Sequence, residues 1–523
     1  MLKMDHSDTF LIKCRDNNIR DPLCLEIVSD DCEVLRDGKD GGIPQIRQKH
    51  VELLRAFAFR SIGELKQDAS VNARGLLLFG EIKNINSKEP IFDLMDYAVE
   101  TGEATSRRIQ IITHNVMGVF SLSDRHSRLR MQITSRFDNP DGEQPFLSWL
   151  LKKVCSINQT HYLPASAGNF WNFLLEILFW AKLANARKVG LYRQYVKQEY
   201  NDLKFKGRLD IDRHILRNFP LKDKIAYSRR EICYDNPINH LLRYAIAICE
   251  RDFGHEMASP DAAQMAMAIK TETVTWRRDA LNKVLANKDV VRELRHPFFA
   301  DFYEDLRILS LMLIDKMGVE LYANKTIPKN ASQINGVVFD GAWLWEAYLA
   351  KLLPEEWVHA NPETGAHKIY AFRGKDGRLK QKLYPDFRLP LEGDRQLASV
   401  ILDAKYKKGD ASERLSTTIE LDDMYQCFGY MLLTGATAGG VVYPPSLSSD
   451  SPDRDESLNN CVNCPDKRIW CCYTFKYLGD LPPESFNNGM SEQEKEFKAF
   501  VRAMERQAAA ILYQHDNIDL KSF

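Results

Sequence analysis

The sequence has no apolar run long enough to cross a bilayer. Its most apolar window, Phe173 to Ala184, is interrupted by Glu176 and Lys182, whereas a spanning helix needs about 20 consecutive, mostly apolar residues. The N-terminus, MLKMDHSDTFLIK, lacks the continuous apolar core of a secretory signal. A disulfide framework is missing as well. The 11 cysteines are scattered and odd in number, which suits a reducing cytoplasm. Neither charge is in excess, with 71 Lys+Arg against 72 Asp+Glu. A global basic field is therefore excluded, and any nucleic-acid contact must use local patches. The chain shows no Ser-His-Asp arrangement and no histidine-rich cluster. GLLLFGEIK carries neither Gly-Lys-Ser nor Gly-Lys-Thr, so nucleotide hydrolysis by this chain is not expected. Repeats and low-complexity tracts are also lacking. These absences predict a soluble cytoplasmic protein with no membrane partner.

At 523 residues, 44% hydrophobic and 27% charged, the chain reads as globular and too long for one ordinary core. An α+β multidomain fold with three regions is expected: a β-rich region over 1–160, a mainly helical one over 161–325, and a third over 326–523. Residues 1 to about 45 read as polar and irregular, broken at Gly38, Gly41 and Gly42. A helix is expected around Val51, Leu54, Ala56 and Phe57. Strands are expected at LLLFGEI, RRIQIIT, NVMGVFSL and RLRMQITSRF, closed by PDGEQP. The pattern then turns helical from Phe146 to about Ala186. The aromatic stripe FWNFLLEILFWAKLA reads as buried packing rather than a cofactor box. KFKGRLDIDRHI reads as a β-like piece, followed by a helix in NPINHLLRYAIAICERDF with Pro at its first turn and two further helices between Asp261 and Lys316.

The last third carries the chemistry. A helix, GAWLWEAYLAKLL, precedes a meander of KIYAFRG, LKQKLYPDFRL and LASVILDAKYK, joined by turns at KDGR and EGDR. DDMYQCFGYMLLTG follows as a helix with Asp422 or Asp423 near its start and Gly435 as its stop. Strands GGVVYP and RIWCCYTF flank a polar loop, Ser446 to Lys467. Asp386 and Asp403 are 17 positions apart, and Lys405 is two residues further on. Residues i and i+2 of a strand share a face, so Asp403 and Lys405 project together, and a hairpin brings Asp386 beside them. Two carboxylates and an ammonium on one face suit Mg²⁺-assisted phosphodiester hydrolysis, with Mn²⁺ as a substitute. Carboxylates and lysines are also common on solvated edge strands. Against that reading, Asp403 follows the apolar run Val-Ile-Leu, expected in a buried strand, where a charge has a desolvation cost that function commonly explains.

The order helix, three strands, helix, strand matches the core of the PD-(D/E)xK nucleases, a mixed sheet flanked by helices. That likeness makes Glu346 the candidate acid of the first helix. Gln426 and Tyr430, i and i+4 on one helical face, resemble the QxxxY element of RecB-like nucleases. A closer resemblance is to the McrC family, nuclease subunits of modification-dependent restriction systems. It rests on LRMQITSRFDNPDGEQPFLSWLLKKV, on FKGRLDIDRHI with DNPINHLLRYAI, and on LYPDFRL, VILDAKYK and DDMYQCFGY. The resemblance implies a DNA endonuclease acting on methylated or otherwise modified DNA, docked through its N-terminal β-rich part on an McrB-like AAA+ GTPase oligomer that uses the GTP. Asp386 and Asp403 would ligate the metal, with Glu346 completing its shell and the Ala404 carbonyl as a third oxygen. Lys405 would stabilise the transition state or position the attacking water, oriented by Gln426 and Tyr430. A stand-alone RecB-like repair nuclease and a catalytically silent subunit that activates an AAA+ motor are the rival readings.

Two further features carry weaker chemistry. Cys461 and Cys464, with Cys471 and Cys472, suggest zinc. Adjacent cysteines on a strand point to opposite faces, which favours incidental thiols. Among basic segments, SRRE and WRRDALNK read as solvated helix faces, whereas AKYKKGD abuts the catalytic strand and is placed to hold DNA phosphate.

Overall fold

The computed structural model describes residues 10–19, 21–30, 43–79, 90–101, 104–124, 127–138, 144–155, 170–220, 223–253, 258–315, 332–360, 367–391, 394–407, 421–445, 459–460, 468–476, 478–479 and 481–519. It is a mixed α and β structure. Contacts divide it into two compact units. One comprises Met1–Cys155, Gln159–Trp171 and Pro328–Phe523, and the other Ser156–Asn158 and Asn172–Ile327. The N-terminal and C-terminal thirds thus share one unit. The physical reason is a strand that the sequence pattern did not reveal. Ser332–Asp340 pairs antiparallel with Val116–Ser123 and parallel with Val71–Leu78, so a C-terminal segment lies inside an N-terminal sheet.

That five-stranded sheet runs Phe10–Arg15, Arg128–Thr134, Val116–Ser123, Ser332–Asp340, Val71–Leu78. A four-stranded sheet runs Gln45–Arg47, Leu23–Val28, Ala104–Thr113, Phe92–Thr101. The segment expected to be irregular therefore supplies two strands, Phe10–Arg15 and Leu23–Val28, and borders a third. Phe92–Thr101 is a further strand that was not anticipated. Ile12, Leu25, Ile46, Phe57, Ile109, Phe120 and Ile334 join both sheets and the Gln48–Arg55 helix in one buried core. Phe10–Arg15 and Leu23–Val28 mix charged and apolar residues, which hides their alternation, and they are held by pairing with the distant Arg128–Thr134 and Ala104–Thr113.

A six-stranded mixed sheet organises the rest of this unit: Val358–His359, Phe387–Leu391, Asp394–Ala404, Ala438–Tyr443, Ile469–Thr474, Asn459–Asn460. The expected meander is broken. Ile369–Arg373 and Leu379–Leu383 pair only with each other, and Phe387–Leu391 is separate from them. Tyr384, Pro385 and Asp386 interrupt the run, because proline donates no ladder bond. The Leu421–Thr434 helix ends where Gly435 adopts a φ of 72°, the left-handed stop read from the sequence. Its Phe428 packs on Trp470. The next two odd-numbered strand residues, Cys471 and Tyr473, instead meet Met504 and Phe497 of the long Pro483–Asp519 helix. Side chains alternate along a strand, so these two helices cover opposite faces of the sheet. The C-terminal helix was not anticipated. Its Glu494 accepts hydrogen bonds from Trp149 Nε1 at 3.2 Å, Tyr348 Oη at 3.1 Å and Lys153 Nζ at 2.6 Å.

In the second unit, Phe173 through Trp180 are buried on the Phe170–Ala186 helix, so the aromatic stripe is core. The Pro237–Phe253 helix packs against Ala300–Asp315; the two helices expected between Asp261 and Lys316 are Pro260–Glu272 and Ala300–Asp315, with two short ones, Leu281–Leu285 and Lys288–Val291, added between them. An antiparallel sheet runs Arg208–Leu209, Ile225–Cys233, Gln194–Asp202. SRRE therefore lies on a strand, where Arg229 pairs with Glu231. Only two residues of KFKGRLDIDRHI are strand, and Ile211–Asn218 is a helix whose Asp210 side chain accepts from Arg213 N at 3.2 Å. The capping aspartate outweighs the apparent alternation.

Gly336 sits at the crossing of the five-stranded sheet, opposite Phe120 on one side and Leu76 on the other. A Cβ there would run into the Val119 carbonyl oxygen and the Phe120 Cα. Gly336→Ala is expected to destabilise the protein by about 2–4 kcal/mol through overpacking against backbone, measured as a lowered urea midpoint. An unchanged midpoint would mean that the two strands do not approach this closely.

Candidate active site

The Asp394–Ala404 strand is central in its sheet. Val400, Ile401 and Leu402 are buried, and Asp403 behind them is only 2% exposed. Phe387 is in register with Leu402, which brings Asp386 next to Asp403 and Ala404. Asp386 Oδ2 accepts from Ala404 N at 2.9 Å. Lys405 forms an ion pair with Asp403 Oδ2. Its Nζ also donates to Gln426 Oε1 at 2.7 Å and stands 3.7 Å from Asp423 Oδ1. Gln426 Nε2 in turn donates to Tyr430 Oη at 3.0 Å. Asp386, Asp403, Lys405, Gln426 and Tyr430 are thus brought together.

Glu346 arrives from another direction. The Ser332–Asp340 strand ends in Asp340, whose Oδ1 accepts from Ala342 N at 2.7 Å and starts the Gly341–Leu352 helix. Leu344, Trp345 and Tyr348 bury this helix, and Trp345 Nε1 donates to the Val442 carbonyl at 3.3 Å. Glu346 is held 4% exposed, with His359 Nε2 at 3.5 Å from its Oε2. His359 stacks on Phe387, ring centroids 4.9 Å apart.

Burial pushes the Asp403 carboxyl up. Lys405 pulls it back, and the Glu346 charge adds to the rise. Burial lowers the Lys405 ammonium, but Asp403, Asp423 and Asp386 outweigh that and raise it, so it stays charged. The Tyr430 hydroxyl is pushed up by burial, with Gln426 opposing and the Asp403 and Asp386 charges adding.

The candidate donors on Asp386, Asp403, Glu346 and Ala404 are all oxygens, the chemistry of Mg²⁺ or Mn²⁺ rather than of a soft metal. Among the described residues, no three His, Cys, Asp or Glu side chains already stand as a metal cluster. Asp403 is engaged instead by the lysine. Cys461 and Cys464 lie outside the described residues. Cys471 is buried against Met504 and the Gly439 carbonyl. In AKYKKGD, residues 408–410 also lie outside them.

Asp423, Tyr443 and His359 were not expected at this site. Asp423 is three positions before Gln426, on the same helical face, and that spacing was the available signal. The segment Ser135-Arg136-Phe137-Asp138 also acquires a physical meaning. Tyr406 follows Lys405 and points the other way, its Oη 3.2 Å from Ser135 Oγ and its ring 4.8 Å from Phe137. Arg136 lies over the Tyr406 ring at 5.0 Å and binds buried Asp16 through Nε at 3.1 Å and Nη2 at 2.8 Å. Asp138 accepts from Phe146 N and Leu147 N, both at 2.9 Å, at the start of the Pro145–Val154 helix.

The family described as McrBC 5-methylcytosine restriction system component matches residues 111–444, more than half of the 523-residue chain. The chain belongs to this McrBC family. No curated protein matches it. Two solved structures from Thermococcus gammatolerans are similar at low identity. One is a half-complex from a tetradecameric assembly of McrB AAA+ hexamers with bound McrC, 15% identical, covering 76% of this chain and 85% of that one, TM-score 0.36. The other is a cryo-EM structure of the McrBC complex, 13% identical, covering 64% and 88%, TM-score 0.27. Family membership rests on the 111–444 match. No helix of this McrBC component, among the described residues, is long and apolar enough to cross a membrane.

Burial outweighs the two N–H bonds to Asp138 and pushes its carboxyl up to about 7, from about 3.9 in an unfolded chain. The folded protein then holds this proton where the unfolded chain has lost it. The stability that this proton contributes is full below about pH 4 and is lost as pH rises to about 7. Asp138→Asn removes the titration while giving up one acceptor, and is expected to flatten the change in urea midpoint between pH 5 and pH 7.5. A slope as steep as that of the unsubstituted protein would show that Asp138 folds ionised.

Proposed function

We propose that this McrBC component is the nuclease subunit of its system, a metal-dependent DNA endonuclease with a PD-(D/E)xK core. The observation that carries the reading is the convergence of Asp386, Asp403 and Lys405 at the end of a buried strand, with Gln426 and Tyr430 on the lysine. A buried charge has a high cost unless paired, and a simple salt bridge needs no second carboxylate and no glutamine–tyrosine relay. Asp386 and Asp403, with Glu346 and the Ala404 carbonyl, would hold Mg²⁺. When bound, the ion lowers the pKa of water and neutralises charge on the phosphate. Lys405 presents a compact positive charge that stabilises the oxygens of the transition state. Gln426 fixes that ammonium through its carbonyl oxygen, and Tyr430 fixes the amide. Lys407, 42% exposed at the side chain and bonded to Asp423, meets the phosphate backbone.

The family's standing as a restriction component supports DNA, methylated or otherwise modified, as substrate. By the same resemblance, an McrB-like AAA+ GTPase is the partner, which this chain docks on through its N-terminal β-rich part and stimulates. GTP is used by that partner.

The test is plasmid cleavage by this chain plus the AAA+ protein encoded beside it, with Mg²⁺ and GTP, on methylated and unmethylated DNA. Asp403→Ala is expected to lower cleavage by about 100-fold or more. Cleavage that survives this change would refute the site. Cleavage without the partner would identify a stand-alone RecB-like nuclease. Faster GTP turnover with no cleavage would identify an assembly subunit.

A further inference from the structure

Asp423 lies in the first turn of the Leu421–Thr434 helix and is 4% exposed. It accepts from the Tyr443 hydroxyl at 3.0 Å and from Lys407 Nζ at 3.1 and 3.3 Å. A helix start favours a carboxylate by its dipole, but that alone does not require burial, nor two lysines facing one acid. Lys405 is the informative partner. Its ammonium is paired with Asp403, touches Gln426, and stands 3.7 Å from Asp423 Oδ1. It therefore has two carboxylates within reach of one flexible stem and uses the one that the proposed cation requires.

A cation cannot take Asp403 Oδ2 while the ammonium holds it, because like charges at contact repel strongly in a part-buried site. Moving Lys405 into solvent would remove it from the reacting phosphate. Moving it toward Asp423 closes the existing gap to an ordinary ion pair and leaves Gln426 as a hinge. Resting on the metal-site reading above, we infer that Asp423 is a positioning residue. It receives the Lys405 ammonium when a cation occupies Asp403, and it anchors Lys407 at the same edge of the site.

The test is Mn²⁺ binding to the full-length chain, followed by electron paramagnetic resonance without DNA, in a double-mutant cycle of Asp423→Asn and Lys405→Ala. With Lys405 present, Asp423→Asn is expected to weaken Mn²⁺ about tenfold, the size of one charged hydrogen bond, with the unfolding temperature held within a few degrees. With Lys405→Ala, the same change is expected to alter affinity less than about twofold, because no ammonium then competes for Asp403. Asp423→Glu, which keeps the charge, is expected to restore affinity to within about threefold. Asp423→Ser takes the place of the amide should the latter not fold. Equal losses in both backgrounds, or no loss with Lys405 present, would overturn the inference and leave the metal reading intact. Absence of any Mn²⁺ binding that Asp403→Ala abolishes would overturn both.

Discussion

A carboxylate at the inner end of an apolar strand is the constraint from which the rest of the site follows. Asp403 is almost fully enclosed behind Val400, Ile401 and Leu402, and an ion so placed has to be paired and hydrogen-bonded. Lys405 at i+2 faces the same way and supplies the counter-charge. Its own charge is then shared among Asp403, Gln426 and Asp423. Each member has a high cost in isolation and a low one in the set, so the network behaves as one object. Removing any one member leaves a buried charge or dipole behind.

Strand alternation turns that object into a joint between two structural layers. Lys405 points to the Leu421–Thr434 helix, and Tyr406, one residue on, points to Ser135, Arg136 and Phe137. Arg136 passes the contact to Asp16, the residue after the first strand. The N-terminal sheet is therefore bolted to the Asp394–Ala404 strand by buried polar bonds and ring contacts. Glu346 reaches the site from the same sheet through Ser332–Asp340 and its capping aspartate. Displacing the N-terminal layer would disturb the position of the lysine and of the glutamate together.

The family match spans residues 111–444, which includes both Arg136 and the Asp394–Ala404 strand. It stops short of partners that these segments need. Asp16 lies before it, and Glu494, which binds Trp149, Tyr348 and Lys153, lies after it. The matched region is thus held by flanking segments, and the long C-terminal helix closes one face of its sheet.

The sequence by itself determined what local physics controls. It set the parity that puts Asp403 and Lys405 on one face, the i,i+4 pairing of Gln426 with Tyr430, the helix stop at Gly435 and the buried aromatic helix. Each depends on spacing within one element, where period and propensity act directly. It did not determine the partners of short strands. Phe10–Arg15 and Ser332–Asp340 are read as strands only once distant segments satisfy their backbone groups. Tertiary structure alone also separated Leu379–Leu383 from Phe387–Leu391, made Asp423 a member of the site, and merged the first and last thirds into one unit. Those outcomes depend on contacts between residues far apart in the chain, whose energies no local pattern encodes.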